Sequence, residues 1–484
     1  MQIPLLKTPI LKVYEALSIA LPRVYLILKA HKSPIATRLI CSTAGTQLSN
    51  LAKALVKPLK LCANAFERIC AHIADHLHFA TAGSWILKQS SDLVHRLRDI
   101  LKIPQCCNTP VAVLDFTDMF TRFVQHDMSR QVRSYLNLVF DYQKGLRIMA
   151  TADMLGPYSP LKSTADPVQS IKAKCGRYHK GQCAVREAQW HSTDANTPCQ
   201  DNVIRWDADK LADVCEFLLA NAYLTYDEVT YRQVKGVPMG LPTSPQFTNA
   251  YTGLYELKAL IRLSKSWQCS HTEADKKAML AAMWQWSRCI DDIAAYGWPD
   301  ITEVQNILTE KAYRTKLKDK DGSTIENPMK LNLERYGTSV HYLDMQIDIC
   351  GNNFHTTVYN KRDHLPALRN YRNFVHIDSL ICTAAKYSVY TAALYRFAKI
   401  CSTPSGFSAN AARLMQKMVA HGYRYQRLRS RLYHFRSKYE WMQLRVFHKH
   451  RHNTSKSIWR RLMRQCNRKI RNLKKQSRLL KARA

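Results

Sequence analysis

Acidic residues are scarce in this chain. Only 37 Asp and Glu stand against 72 Lys and Arg, which leaves a formal net charge of +35 over 484 residues. A folded body with that excess repels itself and calls for a polyanion, nucleic acid first and an anionic membrane surface second. Long apolar runs are also missing. No stretch reaches the roughly eighteen uninterrupted apolar residues of a membrane-crossing helix, so no membrane partner is expected. No low-complexity tract marks the chain as mainly disordered. The 15 cysteines are odd in number and follow no regular framework. That argues against a secreted disulfide scaffold and for reduced core thiols in a nuclear or cytoplasmic protein, the nucleus first. What is present in quantity is hydrophobic residues, 46% of the chain, enough for one large domain or two to three ordinary ones. The N-terminal stretch is basic and partly apolar, like a transit peptide, but its second half runs into a motif described below.

Periodicity sets out the elements. Leu48, Leu51, Leu55 and Leu59 keep helical spacing within 43–103. VAVLDF (111–116) is a compact apolar run and reads as a buried strand. FTRFVQHDMSRQVRSYLNLVFDY (120–142) reads as helix. Residues 157–205 are polar, rich in Gly, Ser, Thr and Pro, and read as an insertion or long loop. A helix is expected over 209–224, capped by Asp207 or Asp209. VTYRQVKGV (229–237) reads as a strand, followed by a Gly/Pro bend and a helix from about Pro245. Residues 340–349 and 354–360 predict a hairpin turning at Gly351–Asn353. Helical spacing covers 374–425, and a basic helical tail fills the rest.

Three acids carry the chemistry. Asp115 ends the run VAVLD, and Asp291 and Asp292 sit inside the apolar RCIDDI. A carboxylate beside a strand core is costly unless something pairs with it. A strand, two acids and a second strand form a hairpin that presents adjacent acids at its tip, where one can face a third acid on a neighbouring strand. Such a cluster repels itself until divalent cations arrive. Hard oxygen ligands suit Mg²⁺, or Mn²⁺ in its place. Two such ions would activate a 3′-hydroxyl and stabilise a leaving pyrophosphate. The blander reading makes the DD pair an exposed turn and Asp115 a helix cap.

Between the acids lies QVKGVPMGLPTSPQFTN (233–249). Gly236 and Gly240 let the backbone approach a neighbour closely. Ser244 and Pro245 occupy the cap and first-turn positions of the helix that follows. Its N-terminus offers unpaired N–H groups to a nucleotide or template strand. Alone the bend is weak evidence, but placed between two acidic strands it is strong.

In this order the segments resemble those of reverse transcriptases, most closely the Penelope-like element group, which is related to telomerase. DFTDMFT (115–121) resembles the family's first palm motif. QVKGVPMGLPTSPQFTN resembles its second, with Met239 where many relatives carry Gln. RCIDDI (288–293) resembles its third. YLDMQIDICGNNFHTTVYNK (342–361) resembles the hairpin that follows, RNYRNFVH and HGYRY the thumb, and YLILKAHKSPIATRLICS (25–42) the fingers motif. The resemblance covers roughly residues 20–425 and implies an α+β right-hand polymerase with palm, fingers and thumb plus a helical basic C-terminal tail. The implied divisions are 1–110 for the N-terminal part and fingers, and 111–156 for the first part of the palm. The insertion with further fingers takes 157–230, and the second part of the palm 231–365. The thumb takes 366–425, and a nucleic-acid-binding tail 426–484. The implied activity is RNA-directed DNA polymerisation, with an RNA template, a DNA or RNA primer, deoxynucleoside triphosphates and two metal ions. Carried over residue by residue, Asp115, Asp291 and Asp292 match the metal-binding acids. Lys29 and Arg38 match the pair that grips the triphosphate. Phe116, Phe120, Met239 and Gly240 match positions around the nucleotide, Phe120 being the bulky residue that closes on the sugar 2′ position. Lys330 matches a proton donor to pyrophosphate.

The sequence also departs from the family. Cys289 stands where an aromatic residue is usual. The insertion holds Cys175, His179, Cys183, His191 and Cys199 without a closed zinc spacing. No GIY-YIG nuclease motif or ribonuclease H domain is expected in the remaining tail. An RNA-dependent RNA polymerase shares the palm, and Asp118 would be its ribose-sensing acid. A domesticated, inactive nucleic-acid-binding protein is a rival of another class.

From Arg427 to Ala484 there are twenty Lys or Arg and one acid, Glu440, with Tyr433, Phe435, Trp441, Phe447 and Trp459 interleaved. Cations neutralise phosphates and aromatic rings stack on unpaired bases. Nucleic-acid affinity is therefore expected to fall steeply with salt. A titration of Kd against salt should give a steep linear log–log decline, and a flat line would remove the electrostatic reading of this charge.

Overall fold

The computed structural model describes residues 21–29, 36–43, 46–76, 85–103, 106–117, 119–144, 146–151, 188–191, 203–227, 229–267, 285–297, 313, 316–318, 322–326, 329, 331–360, 374–438, 464 and 468. In chain order the elements are β1 (Arg23–Lys29), β2 (Ala36–Ser42), α1 (Gln47–His76), α2 (Asp92–Ile100), β3 (Val111–Phe116), α3 (Met119–Arg122), α4 (Gln125–Tyr142) and β4 (Arg147–Thr151). There follow β5 (Gln189–His191), β6 (Val203–Trp206), α5 (Ala208–Ala220), β7 (Tyr223–Tyr226), β8 (Val229–Arg232), α6 (Ser244–Trp267), β9 (Ser287–Cys289) and β10 (Asp292–Ala295). The last are β11 (Lys316–Lys318), β12 (Thr324–Glu326), β13 (Leu331–Gly337), β14 (Ser339–Tyr342), β15 (Met345–Cys350), β16 (Asn353–Val358), α7 (Thr383–Ile400), α8 (Pro404–Val419) and α9 (Tyr425–Lys438). Among the described residues no helix is long and apolar enough to cross a membrane. The chain divides into two compact units, each assembled from separate stretches.

The first unit takes residues 1–78, 117–266 and 307–330. Its four-stranded sheet runs β2-β1-β7-β8, and a three-stranded one runs β5-β4-β6. Helix α1 starts at a Thr46 cap, whose hydroxyl accepts from the Ser49 amide at 3.2 Å. It buries Ala52, Leu55, Leu59, Cys62, Phe66 and Ile69, one stripe at helical spacing. Asp207 caps α5 by accepting from the Lys210 amide at 2.8 Å. That helix stops at Ala220, not at 224 as the spacing suggests: Tyr223–Tyr226 leaves it to pair with β8 and, at one rung, with β1. Strands β5 and β6 arise inside the segment read as insertion and pair on either side of β4.

The centre of this unit is α6, which buries almost every side chain from Phe247 to Leu260. Such burial forces its polar groups to find partners inside. Asp127 of α4 is fully buried and accepts from the hydroxyls of Tyr251 (2.8 Å) and Tyr255 (2.6 Å) of α6 and from Arg130 (2.5 Å). Glu256, equally buried, accepts from the Tyr313 hydroxyl at 2.5 Å. Burial, then the neighbouring Tyr255 and Asp127, holds the Tyr251 phenol well above its ordinary pKa, so it stays a donor.

The second unit takes residues 79–116, 267–306 and 331–484. Its main sheet runs β13-β3-β10-β9, all antiparallel, and a separate meander runs β14-β15-β16. The predicted hairpin between β15 and β16 is there, with Cys350 opposite Asn353. One face of the main sheet, through Val111, Val113 and Ala294, packs with Leu93, Leu97 and Ile100 of α2 and with Tyr342, Met345 and Ile347 of the meander. Helices α7, α8 and α9 form a bundle around Tyr390, Leu394, Ala411, Met415, Leu428, Leu432 and Phe435. Residues 374–382, expected as helix, are turns that precede α7. Phe435, placed by its spacing among the base-stacking residues of the tail, is instead fully buried against Phe407. The basic segment therefore begins as a core helix of this bundle.

Removing Asp127 strands two buried phenols, and removing Arg130 leaves the fully buried Asp127 carboxylate without its cation while the two phenols still donate to it. Asp127→Ala is expected to cost about 3–5 kcal/mol and Arg130→Ala less, about 1–3 kcal/mol, read by denaturant unfolding.

Candidate active site

The hairpin made by β9 and β10 is as tight as a hairpin can be. Cys289 pairs with Asp292, so its turn has only Ile290 and Asp291. Ile290 sits at φ +60°, a conformation that a β-branched residue rarely adopts and that costs on the order of 1–3 kcal/mol. The surroundings over-determine it. The fully buried Arg288 donates from Nη1 to the Ile290 carbonyl at 3.1 Å. The buried Tyr342 hydroxyl lies 2.9 Å from the Ser287 carbonyl and 3.0 Å from that of Asp292. Arg96, also buried, donates to Ser287 Oγ at 3.0 Å and to the Trp286 carbonyl at 2.9 Å. The backbone of Arg288 is clamped by Trp85 and Leu87 at 2.8 and 2.7 Å.

Strand β10 also pairs with β3, and there Asp292 stands directly opposite Asp115. Directly opposed residues share a face, with Cα atoms about 4.5–5.5 Å apart. On the other side of Asp115 its partner is Asn332. A row therefore crosses the four strands on one face: Cys289, Asp292, Asp115, Asn332. Asp291 stays in the turn, and its carbonyl accepts from the Phe116 amide at 3.4 Å, which ties it to the end of β3. The three acids are partly exposed, while Leu114, Phe116, Ile293 and Ala294 beside them are buried. Burial first, then the charge of Asp292, pushes the Cys289 thiol up to about 11, so at neutral pH it adds no charge to the row.

Among the described residues no group of three or more His, Cys, Asp or Glu stands ready to enclose a metal. Mg²⁺ does not need one, because it commonly takes one or two carboxylates and completes its shell with water and phosphate. Asp115 and Asp292, hard donors on one face at solvent's edge, fit that demand.

In the first unit, three residues expected around a nucleotide, Phe120, Met239 and Gly240, are tied to neighbouring backbone. The Val237 amide donates to the Phe120 carbonyl and the Gly236 amide to that of Phe123, both at 2.7 Å. A Cβ on Gly236 would lie 2.2 Å from the Phe120 oxygen, and one on Gly240 2.1 Å from the Cys41 oxygen. Both glycines also have positive φ. The Cys41 amide reaches the Met239 carbonyl at 2.8 Å, and the Thr43 hydroxyl reaches that of Gly240 at 3.0 Å. The bend is thus held between α3, which carries Phe120, and β2, which carries Arg38. Arg38 is exposed opposite Ile27, and Lys29 ends β1 opposite Ala36. Phe120 and Met239 are half-buried. Phe116 is 3% exposed, so its ring is a core group and only its backbone serves the acids.

Asp118, Lys330, Cys175, His179, Cys183 and Cys199 lie outside the described residues, and His191 is exposed on β5. Arg96 and Asn332 escaped the sequence reading, and Tyr342 stood at the head of the hairpin motif without a role. Arg288 stood in the acid motif without a role. Buried arginines are rare and no local pattern announces them.

The chain is similar, at low identity, to solved telomerases and to an RNA-dependent RNA polymerase. To telomerase from Candida albicans in complex with a TWJ fragment of telomeric RNA it is 13% identical, with a TM-score of 0.48 over 96% of this chain and 65% of that one. To apo telomerase from Candida tropicalis the values are 11% and 0.39, over 88% and 62%. To the BmCPV RNA-dependent RNA polymerase at elongation state they are 13% and 0.36, over 85% and 27%. The chain thus spans less than two thirds of each of these proteins. No family model and no curated protein matches it.

Two substitutions probe the site's framework. Gly236→Ala must displace the Phe120 carbonyl, and a loss of about 2 kcal/mol or more is expected. Tyr342→Phe removes a buried hydroxyl donor, at about 1 kcal/mol. Denaturant midpoints at constant m-value would measure both.

Proposed function

We propose that this chain is a template-directed nucleic-acid polymerase of the reverse-transcriptase type, extending a primer 3′-hydroxyl with deoxynucleotides. The observation that carries the reading is the direct pairing of Asp115 with Asp292, with Asp291 in the adjoining two-residue turn. Residues from two segments far apart in sequence deliver carboxylates to one lip of one sheet, in the order the motifs predict.

In this reading the sheet β13-β3-β10-β9 is the palm floor, the β1–β2 hairpin belongs to the fingers, and α7–α9 form the thumb. The primer 3′-oxygen attacks the α-phosphorus, the new P–O bond forms as the α–β phosphoanhydride bond breaks, pyrophosphate leaves with that bond's electron pair, and the hydroxyl proton passes to solvent. Two Mg²⁺ or Mn²⁺ ions, when held by Asp115, Asp291 and Asp292, supply Lewis-acid activation of the attacking oxygen and charge neutralisation of the leaving one. The remaining work is positioning. Arg288, Arg96 and Tyr342 hold the acid turn in its strained shape. Lys29 and Arg38 are proposed to grip the triphosphate, and the bend at Met239–Gly240 to support the nucleotide. Phe120 is proposed to exclude a ribose 2′-hydroxyl. An RNA template and the kinship to Penelope-like elements rest on the motif resemblance.

Primer extension on RNA and DNA templates with Mg²⁺ or Mn²⁺ tests the proposal. Asp115→Asn, Asp291→Ala and Asp292→Asn are each expected to lose on the order of a thousandfold in rate with folding intact. Equal extension by wild type and Asp291→Ala would sink it, and a preference for ribonucleotides would move the chain to the RNA-polymerase class.

A further inference from the structure

Strand β13 is the outer strand of the sheet that carries the acids, and its residues from Asn332 to Tyr336 are exposed. Its pairing with β3 starts regularly: Leu331 with Phe116, Asn332 with Asp115, Leu333 with Leu114. Then the register slips by one residue. Arg335 pairs with Val113, Tyr336 with Ala112 and Gly337 with Val111, so Glu334 is the extra residue of a bulge. Val113 lies two residues before Asp115 and so on the same face of the sheet, roughly 7 Å along the strand. Its partner fixes what the edge offers beside the acids. An unbroken register would pair Val113 with Glu334 and set another carboxylate next to Asp115 and Asp292. The bulge gives that position to Arg335.

Blunting an exposed edge against strand addition needs only a bulge, whatever residue it re-aims. Here the re-aimed residue is a guanidinium, whose planar fork suits phosphate oxygens. Asn332, the residue of this strand opposite Asp115, adds a carboxamide without adding charge. We infer that Asn332 and Arg335 form a phosphate-binding edge beside the acid pair, an assignment that rests on the polymerase reading for the identity of its ligand. The shared chemistry is a phosphate oxygen, carried by a nucleoside triphosphate or by the backbone of the primer–template duplex.

Equilibrium binding separates these sources without turnover. A primer ending in a dideoxynucleotide, annealed to its template, is titrated with the full chain at several salt concentrations. The next complementary deoxynucleoside triphosphate is then titrated into that complex with Mg²⁺. Arg335→Ala is expected to weaken one of the two ligands roughly tenfold, with Arg335→Lys recovering part of the loss and Asn332→Ala shifting the same ligand less. A higher Kd for the nucleotide alone assigns the edge to the triphosphate. A higher Kd for the duplex, with the log–log salt slope reduced by about one, assigns it to the backbone. If both ligands bind Arg335→Ala within twofold of wild type, at unchanged Tm, the inference is overturned. A wild type that binds duplex but extends no primer defeats the polymerase reading alone, because the duplex arm still reads Arg335.

Discussion

Two negative side chains facing each other across a hydrogen-bonded strand pair are the constraint on which the rest of this protein turns. Asp115 and Asp292 occupy one rung of the β3–β10 ladder. Like charges directly opposite destabilise a sheet. The pairing survives because both faces of the two strands are otherwise buried and apolar: Val113 and Ala294 pack on the acids' own face and Leu114 and Ile293 on the other, so a slip of one residue would carry the acids into the place of a buried apolar side chain. The hydrophobic effect thus enforces an electrostatic opposition that the acids alone would not choose.

The same logic accounts for what stands behind them. A two-residue turn brings Asp291 to the end of β3, where its carbonyl meets the Phe116 amide. That shortness forces Ile290 into a strained conformation, and the strain persists only because Arg288, Arg96 and Tyr342 fill the hydrogen bonds of the hairpin from inside. The two guanidiniums also bring positive charge to a carboxylate-lined hairpin. Arg288 stands one residue from Cys289, whose thiol it draws downward while burial and Asp292 push it up more strongly.

Much of this was written in the chain. The run VAVLDF could hardly be anything but a buried strand, and the apolar residues around Asp291 and Asp292 demanded a hairpin. Gly236 and Gly240 announced close backbone approach, which the Phe120 and Cys41 carbonyls provide. Asp207 was one of two capping choices and is the one used. Other features were illegible for physical reasons. YLTY after α5 continues a helical spacing, and only pairing with β8 and β1 makes it a strand, because strand preference is settled by neighbours rather than by the residues alone. The strands at 189–191 and 203–206 are too short and polar to show a period. Phe435 looked like a stacking residue because its neighbours are basic, yet it completes a bundle core whose other members lie up to about fifty residues upstream. Arg96 lies nearly two hundred residues from the serine it holds, a separation no local pattern spans.

The bulge in β13 belongs to the same economy of charge. The chain carries an excess of +35, yet the lip of this sheet gathers carboxylates. Helix and strand patterns decide which residues face a core, but they do not decide which face a small cluster of acids at its rim. A slip of one residue can do that, because strand side chains alternate with a period of two and a bulge resets the count. Leu333 keeps its rung opposite Leu114, and the next rung is filled from one residue further on. The apolar pattern is left intact while the charged pattern is shifted, so the sheet keeps its core and alters its edge. A register irregularity placed two residues from the acid row therefore acts on the electrostatics of the site at little cost to the packing beneath it.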